Sequence, residues 1–277
     1  MTLRDDTSAK LTRMLEAHTG QNLTPSRQWR VGSALSGLLR EHEAASVDEL
    51  VARLTSPYGC TLSSRVVEAL LNNETYFFRD QAIFETIGRE ALPALARRRA
   101  DRRKLSIWSI GCSTGQEPVS LAILLAEQRH LFEGWHLDIL ATDVSTRALD
   151  VARKGIYTAF EAQRGLGVNR MIRWFAEAPG GWKVSDNLTA RIRYRRHNLL
   201  APPPETSRFD LILCRNVLLY FEPPTRSRAF EQIAQAIAPD GFLSLGAGET
   251  VVGQTDLFAP AADCPGLFAP PKAPAAS

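Results

Sequence analysis

Two carboxylates and two glycines carry most of the chemical signal in this sequence. Residues 107–120 read IWSIGCSTGQEPVS. A short apolar run meets Gly111, a second glycine follows at Gly115, and Glu117 comes just after it. A glycine turn between a strand and a helix can cradle phosphates, but the dinucleotide form needs the tighter GxGxxG spacing. Here an acid stands where a phosphate would be repelled. A second acid, Asp143, ends the next apolar run, LDILATDV, somewhat beyond the roughly 20 residues usual for a ribose-binding carboxylate. A positively charged adenosine without phosphates satisfies both acids, and S-adenosylmethionine is such a compound. Asp143 can accept hydrogen bonds from the ribose hydroxyls. Glu117 can meet the ammonium and lower the potential around the sulfonium. The glycines let a flat cation lie close to the backbone. Glu117 alone also reads as an ordinary acid in the first turn of a helix; Asp143 at its strand end favours the cofactor.

These residues need strands to carry them. From residue 105 apolar strands alternate with amphipathic helices: KLSIWSIG, EPVSLAILLAEQ, HLDILATDV, TRALDVARKGI. The rhythm resumes at FDLILCRNVLLYF, TRSRAFEQIAQAIAP and GFLSLGAGE. This predicts an α/β fold whose parallel sheet is covered on both faces. Between the two runs lie a helix near AQRGLGVNRMIRWF, a hairpin at APGGWKV and a basic alternating strand, RIRYRRHN. They predict a small α+β insertion over 156–197. Residues 1–95 read as short helices, an all-α domain, with Gly20 ending the first and Ser46 with Glu49 forming a capping box. The α/β domain then spans 96–270, and the Pro/Ala-rich end, 271–277, reads as disordered.

The chain has 277 residues, 44% hydrophobic and 23% charged, as in a soluble globular protein. It has no run of eighteen apolar residues and no apolar leader, so no membrane insertion and a cytoplasmic location are expected. The four cysteines, Cys60, Cys112, Cys214 and Cys264, form no CxxC pair, which argues against structural zinc and against a disulfide framework. A net charge of +3 is too small to imply nucleic acid. The arginines do cluster, in RRRADRRK (97–104) and RIRYRRHN (191–198). The first reads as a helix end, where cations suit the dipole. The second reads either as a charged edge strand or as a dock for an acidic partner.

Four stretches together resemble the CheR-type chemotaxis receptor protein-glutamate O-methyltransferases, over roughly residues 25–260. NNETYFFRD (72–80) is similar to that family's N-x-T-x-FFR signature, WSIGCSTGQEPVSLA to its cofactor loop, ATDVSTRALDVARKGIY to its second strand and helix, and FDLILCRNVLLYF (209–221) to its CRNV-x-x-YF strand. The resemblance implies an all-α N-terminal domain, then a Rossmann-like class I methyltransferase domain with a small inserted β-subdomain. It implies S-adenosylmethionine as cofactor and S-adenosylhomocysteine as product. It implies transfer to glutamates on the cytoplasmic helices of methyl-accepting chemotaxis receptors, by a monomer. Carried over by position, the cofactor contacts are Asn73, Thr75, Arg79, Glu117, Asp143, Asn198, Leu199, Arg215 and Asn216. Arg79 and Tyr220 are the candidates for holding and orienting the substrate carboxylate.

The sequence departs from the family at Val119, where a tyrosine is expected, and at GAGET (246–250), where members often carry Gly-His-Ser-Glu. The hairpin at APGGWKV is short, which points to an enzyme independent of a receptor's C-terminal tether. Two other readings fit the cofactor half: a small-molecule carboxyl methyltransferase, and a non-catalytic cofactor-sensing adaptor. Arg79 and Tyr220 favour catalysis over the adaptor.

Overall fold

The computed structural model describes residues 3–55 and 59–271. The expected disordered tail, beyond Pro271, lies outside the described residues, as does the side chain of Cys60. The chain divides into two compact units: residues 1–72 with 220–225, and residues 73–219 with 226–277.

The first unit is helical. Its opening helix, Asp5–Thr19, stops at Gly20, which takes φ 79° and donates its N–H to the Glu16 carbonyl. The glycine is needed there because a Cβ disfavours the left-handed cap. Ser46 caps Val47–Ala52 by accepting from the Glu49 N–H, while Glu49 reaches back to the Ala45 N–H at 2.8 Å. Leu11, Leu15, Leu35, Leu50 and Val66 are fully buried and form its core.

The helical domain was expected to run to residue 95, but this unit ends at Asn72. Phe77, Phe84, Ile87, Leu92 and Leu95 explain the difference, because all five are buried in the α/β core. The helical run carrying the last four contains Pro93, whose missing N–H and ring would break a regular α-helix. A π-helical segment over Ile87–Ala91 takes up the irregularity, between α-helices Gln81–Thr86 and Leu92–Arg98.

The strands of the second unit are β1 (Lys104–Ile110), β2 (His136–Asp143), β3 (Ile156–Tyr157), β4 (Phe175–Ala178), β5 (Gly181–Val184), β6 (Ile192–Arg196), β7 (Phe209–Cys214), β8 (Ile237–Leu245), β9 (Ala259–Pro260) and β10 (Phe268–Ala269). Seven form one sheet in the order β6-β2-β1-β7-β8-β10-β9, parallel from β6 to β8. This is the Rossmann-like, doubly wound arrangement. Strand order reverses between β1 and β7, so the crevice for a ligand opens at the carboxyl ends of these strands.

The basic strand β6 was placed in the insertion. It is instead the edge of the main sheet, paired in register with β2 from Ile139↔Ile192 to Asp143↔Arg196. Its outward Arg193 pairs with Asp138 and Glu205, at 2.6 and 2.8 Å. The inserted sheet is β3-β5-β4, with β4 and β5 joined through Pro179 and Gly180. Gly180 has φ 91°, the value a type II turn requires after proline.

Of the cluster 97–104, Arg98 does end a helix, but Arg99 turns inward and is 3% exposed. Its guanidinium meets Asp210 at 2.5 Å and Asp240 at 2.5 Å, and so staples this end of the sheet. In the insertion, Gly165 (φ 86°) lies against the backbone of Phe77. A Cβ there would sit 1.9 Å from the Phe77 carbonyl oxygen.

Candidate cofactor and active site

The glycine loop follows β1 directly. Gly111 (φ 66°), Ser113 (φ 51°) and Gly115 (φ 96°) all take left-handed conformations. A Cβ on Gly111 would meet Val217 Cγ2 at 2.5 Å, and one on Gly115 would meet the Ala152 Cβ at 2.9 Å. Both positions therefore need glycine for conformation and for space. Helix Gln116–Glu127 begins immediately after, with Glu117 in its first turn.

Asp143 ends β2 and is 7% exposed. Its Oδ2 accepts from the Ser113 N–H and its Oδ1 from the Ser145 N–H, each at 2.8 Å. These bonds aim the carboxylate and clamp the glycine loop to the strand tip. A carboxylate offers about four lone-pair directions, more than one backbone donor can fill on each oxygen.

Glu117 is largely buried and has partners within the protein. Ser109 on β1 donates its hydroxyl to Oε1 at 2.8 Å, and Arg215 donates to Oε2 at 3.1 Å. Burial pushes the Glu117 carboxyl above the usual range, and Arg215 offsets this in part. A further cation against Glu117 would favour its ionised form.

Arg215, just past β7, has a side chain only 1% exposed. It donates to the Asp80 carboxylate at 2.8 Å and to the Arg79 carbonyl at 2.6 Å, besides Glu117. One guanidinium thus ties the signature turn to the cofactor loop, a task suited to its rigid fork.

The signature residues 73–80 enclose the loop from another side. The Asn73 carbonyl accepts from the Ser113 hydroxyl at 2.7 Å, and the Phe78 N–H donates to the Ser120 hydroxyl at 3.0 Å. Phe77 packs edge-on against Tyr157 and Phe175, with centroids 5.0 and 5.4 Å away. Arg79 is half-buried, its Nη1 donating to the Glu74 carbonyl at 3.0 Å. Phe78, Asp80, Ser113 and Asn216 supply four of the six non-glycine residues at positive φ among the described residues. Backbone strain is concentrated at this site, as it is where function demands an unusual geometry.

The remaining predicted contacts fall as follows. The His197 N–H donates to the Asp143 carbonyl at 3.0 Å, which brings the 197–199 turn beside Asp143. The Asn198 Oδ1 accepts from the Leu200 N–H, and Leu199 is buried. Thr75 is half-buried within the signature turn. Asn216 takes φ 57°. Tyr220 was expected at the end of a strand, but β7 stops at Cys214 and Tyr220 closes the 3₁₀ turn Leu218–Tyr220. It groups with the helical unit, where its hydroxyl oxygen accepts from the Asn72 amide at 2.7 Å and Arg27 stacks 4.3 Å from its ring centroid.

Two functions escaped the sequence reading. Asp80, seen only as a neighbour of Arg79, is the second anchor of Arg215. Glu249 of GAGET accepts from three backbone N–H groups, those of Asn216, Gly246 and Leu219, at 2.7, 2.8 and 3.1 Å. It holds the turn after β7 to the tip of β8. The acid at that position was the available signal. Val119 is fully buried in the core.

A protein-family comparison completes this picture. The model for the CheR methyltransferase, SAM binding domain, matches residues 73–263. The chain belongs to the CheR methyltransferase family. The match begins at the first residue of the second unit, and S-adenosylmethionine is the cofactor of this domain. The chemotaxis protein methyltransferase of Vibrio parahaemolyticus is 35% identical over 271 residues, covering 97% of this chain and 98% of that one. Chemotaxis protein methyltransferase 1 of Pseudomonas aeruginosa is 35% identical over 262 residues, covering 92% and 93%.

The residues present fit that CheR cofactor. Arg215 Nε and Asn216 Oδ1 are buried without a hydrogen-bond partner, as is His197 Nε2 beside Asp143. Buried polar atoms left open in this way call for a bound polar group. No helix among the described residues is long and apolar enough to cross a membrane.

Proposed function

We propose that the protein transfers the methyl group of S-adenosylmethionine to glutamate side-chain carboxylates on chemoreceptor proteins, giving glutamyl methyl esters. It acts as a monomer in the cytoplasm, on the receptors' cytoplasmic helices. The chemotaxis setting rests on the names of the relatives. The observation that carries the chemistry is the chain Asp80–Arg215–Glu117, with Arg215 buried at its centre, together with Asp143: one acid in the first turn of the helix after β1 and one at the tip of β2, suited to a cationic, phosphate-free adenosine compound.

When bound, the cofactor supplies an electrophilic methyl group on a sulfonium. The rest is done by side chains. Asp143 holds ribose hydroxyls, Glu117 faces the ammonium, and the 198–199 turn borders the adenine. Asn73, Thr75, Arg215 and Asn216 complete the wall. A glutamate side chain is ionised at neutral pH and is already a nucleophile, so no residue is needed as a general base. Catalysis is then alignment and desolvation. Arg79, half-buried on the signature turn, captures the incoming carboxylate with its fork. Tyr220 keeps its own hydroxyl proton to donate and is the second candidate for orienting an acceptor oxygen.

The test is incubation of the protein with tritiated S-adenosylmethionine and receptor-bearing membranes. Base-labile label released as methanol, and mass spectrometry placing the methyl on glutamate, are the expected results. Arg79→Ala is expected to abolish ester formation while thermal unfolding stays unchanged. Label on nitrogen, or on small acids alone, would refute the assignment.

A further inference from the structure

The two dense arginine stretches are not absorbed by the methyl-transfer site. Each sends a residue to the opposite end of the sheet, where a cavity of about 790 Å³ opens beside the start of β2. It is lined by Leu125, Arg129, His130 and Phe132, by Glu133 to Leu137, and by Ala190 and Arg191. Its size lies within the roughly 300–1,000 Å³ of small-molecule sites. The cofactor loop leaves the far end of β1. Lys104 pairs with His136 at one end and Ile110 with Thr142 at the other, which separates the two sites by about 20 Å of strand.

The walls have a definite chemistry. Trp135 is half-buried, and Phe132 buttresses it edge-on, with centroids 5.3 Å apart and planes at 83°. Such a contact holds the indole plane still, and the same Trp135 lines the cavity. Arg129 and Arg191 line the cavity. Arg103 lies at its rim, its Nη1 3.7 Å from where a Gly134 Cβ would be. None of these three arginines is in an ion pair among the described residues, unlike Arg99 and Arg193, which are neutralised by aspartates. Glu133 is the one acid in the lining, against two arginines and two histidines. Unpaired guanidinium groups beside a fixed aromatic plane suit an anion that also carries a flat ring: the guanidinium fork matches phosphate oxygens, and the indole stacks on a base.

We infer that this cavity is a second ligand site, separate from the cofactor crevice, for a phosphate-bearing aromatic compound of the nucleotide class. Helix Gln116–Glu127 joins the two sites physically, since it starts at the cofactor loop and Leu125 near its end lines the cavity.

The experiment is calorimetric titration of the full chain with adenosine 5′-monophosphate, guanosine 5′-monophosphate and inorganic phosphate, in saturating S-adenosylhomocysteine so that the cofactor crevice is filled. At least one nucleotide should bind with one site per chain and more tightly than phosphate. The Arg129→Ala/Arg191→Ala double variant should weaken it about tenfold, and Trp135→Leu by a similar factor, by loss of the stacking face. Both variants should retain unaltered S-adenosylhomocysteine affinity, which reports that they fold. Absence of nucleotide binding at millimolar concentration would overturn the inference. So would binding that disappears when the cofactor crevice is filled, phosphate binding as tight as the nucleotides, or an undiminished affinity in the folded double variant. The surface arginine pair carries the decision should Trp135→Leu not fold.

Discussion

Arg215 and Glu117 meet near the strand tips, Nη1 to Oε2 at 3.1 Å, although they lie on different βα units; Arg215 is buried and Glu117 largely so. The arginine also holds Asp80, so a single side chain joins two anions that belong to separate walls of the crevice. Removing one member of a buried pair leaves an uncompensated charge, which costs about 3–5 kcal/mol. Arg215→Met is expected to lower unfolding free energy by about that amount, measured in urea, and to abolish S-adenosylhomocysteine binding at temperatures where the chain is still folded. Arg215→Lys keeps the charge but not the fork and should fall between.

The raised Glu117 carboxyl gives a pH dependence of known sign. Its folded value lies above its unfolded one, so the stability contributed by its protonation is complete below the unfolded value. That contribution is lost as pH rises through the folded value. A cationic ligand prefers the ionised form, so S-adenosylmethionine affinity should rise as pH climbs through the folded value. Glu117→Gln should flatten that slope, as read by titration calorimetry across that climb.

Asp143 has two jobs, clamping the loop and facing the ribose. Asp143→Ala is expected to cost about 1.5–3 kcal/mol of cofactor binding, the scale of hydrogen bonds to a charged group. Affinity equal to wild type in calorimetry would remove the ribose assignment.

Gly115 offers a test of the loop itself. With φ at 96° and a notional Cβ 2.9 Å from that of Ala152, Gly115→Ala must shift the loop or its neighbours. A loss of about 1–3 kcal/mol in stability is expected, seen as a lower melting temperature, with weaker cofactor binding alongside it.

The local part of the site was legible in the sequence, and the long-range part was not. Gly111, Gly115, Glu117 and Asp143 announce themselves because a strand, a turn and a helix are contiguous and their residue types have few alternatives. Arg215 was expected as a cofactor contact, but its protein partners Glu117 and Asp80 lie 98 and 135 residues away, and no periodicity encodes such pairing. The boundary misread near residue 95 has the same cause. Phe84, Ile87 and Leu95 repeat like any amphipathic helix, and only the finished core shows which unit they serve. Strand β6 shows the equivalent ambiguity in sheets, since an alternating strand looks alike at the edge of a large sheet or a small one.

The contact of Gly165 with the Phe77 carbonyl has a practical bearing on engineering. It locks the inserted module to the segment that ends in Arg79, so neither piece can be exchanged alone without opening a seam. Chimeras that swap receptor preference between relatives should move both stretches as one cassette, with the glycine retained. Swaps cut between them are expected to be insoluble or unable to turn over, however well each half is matched to its new target.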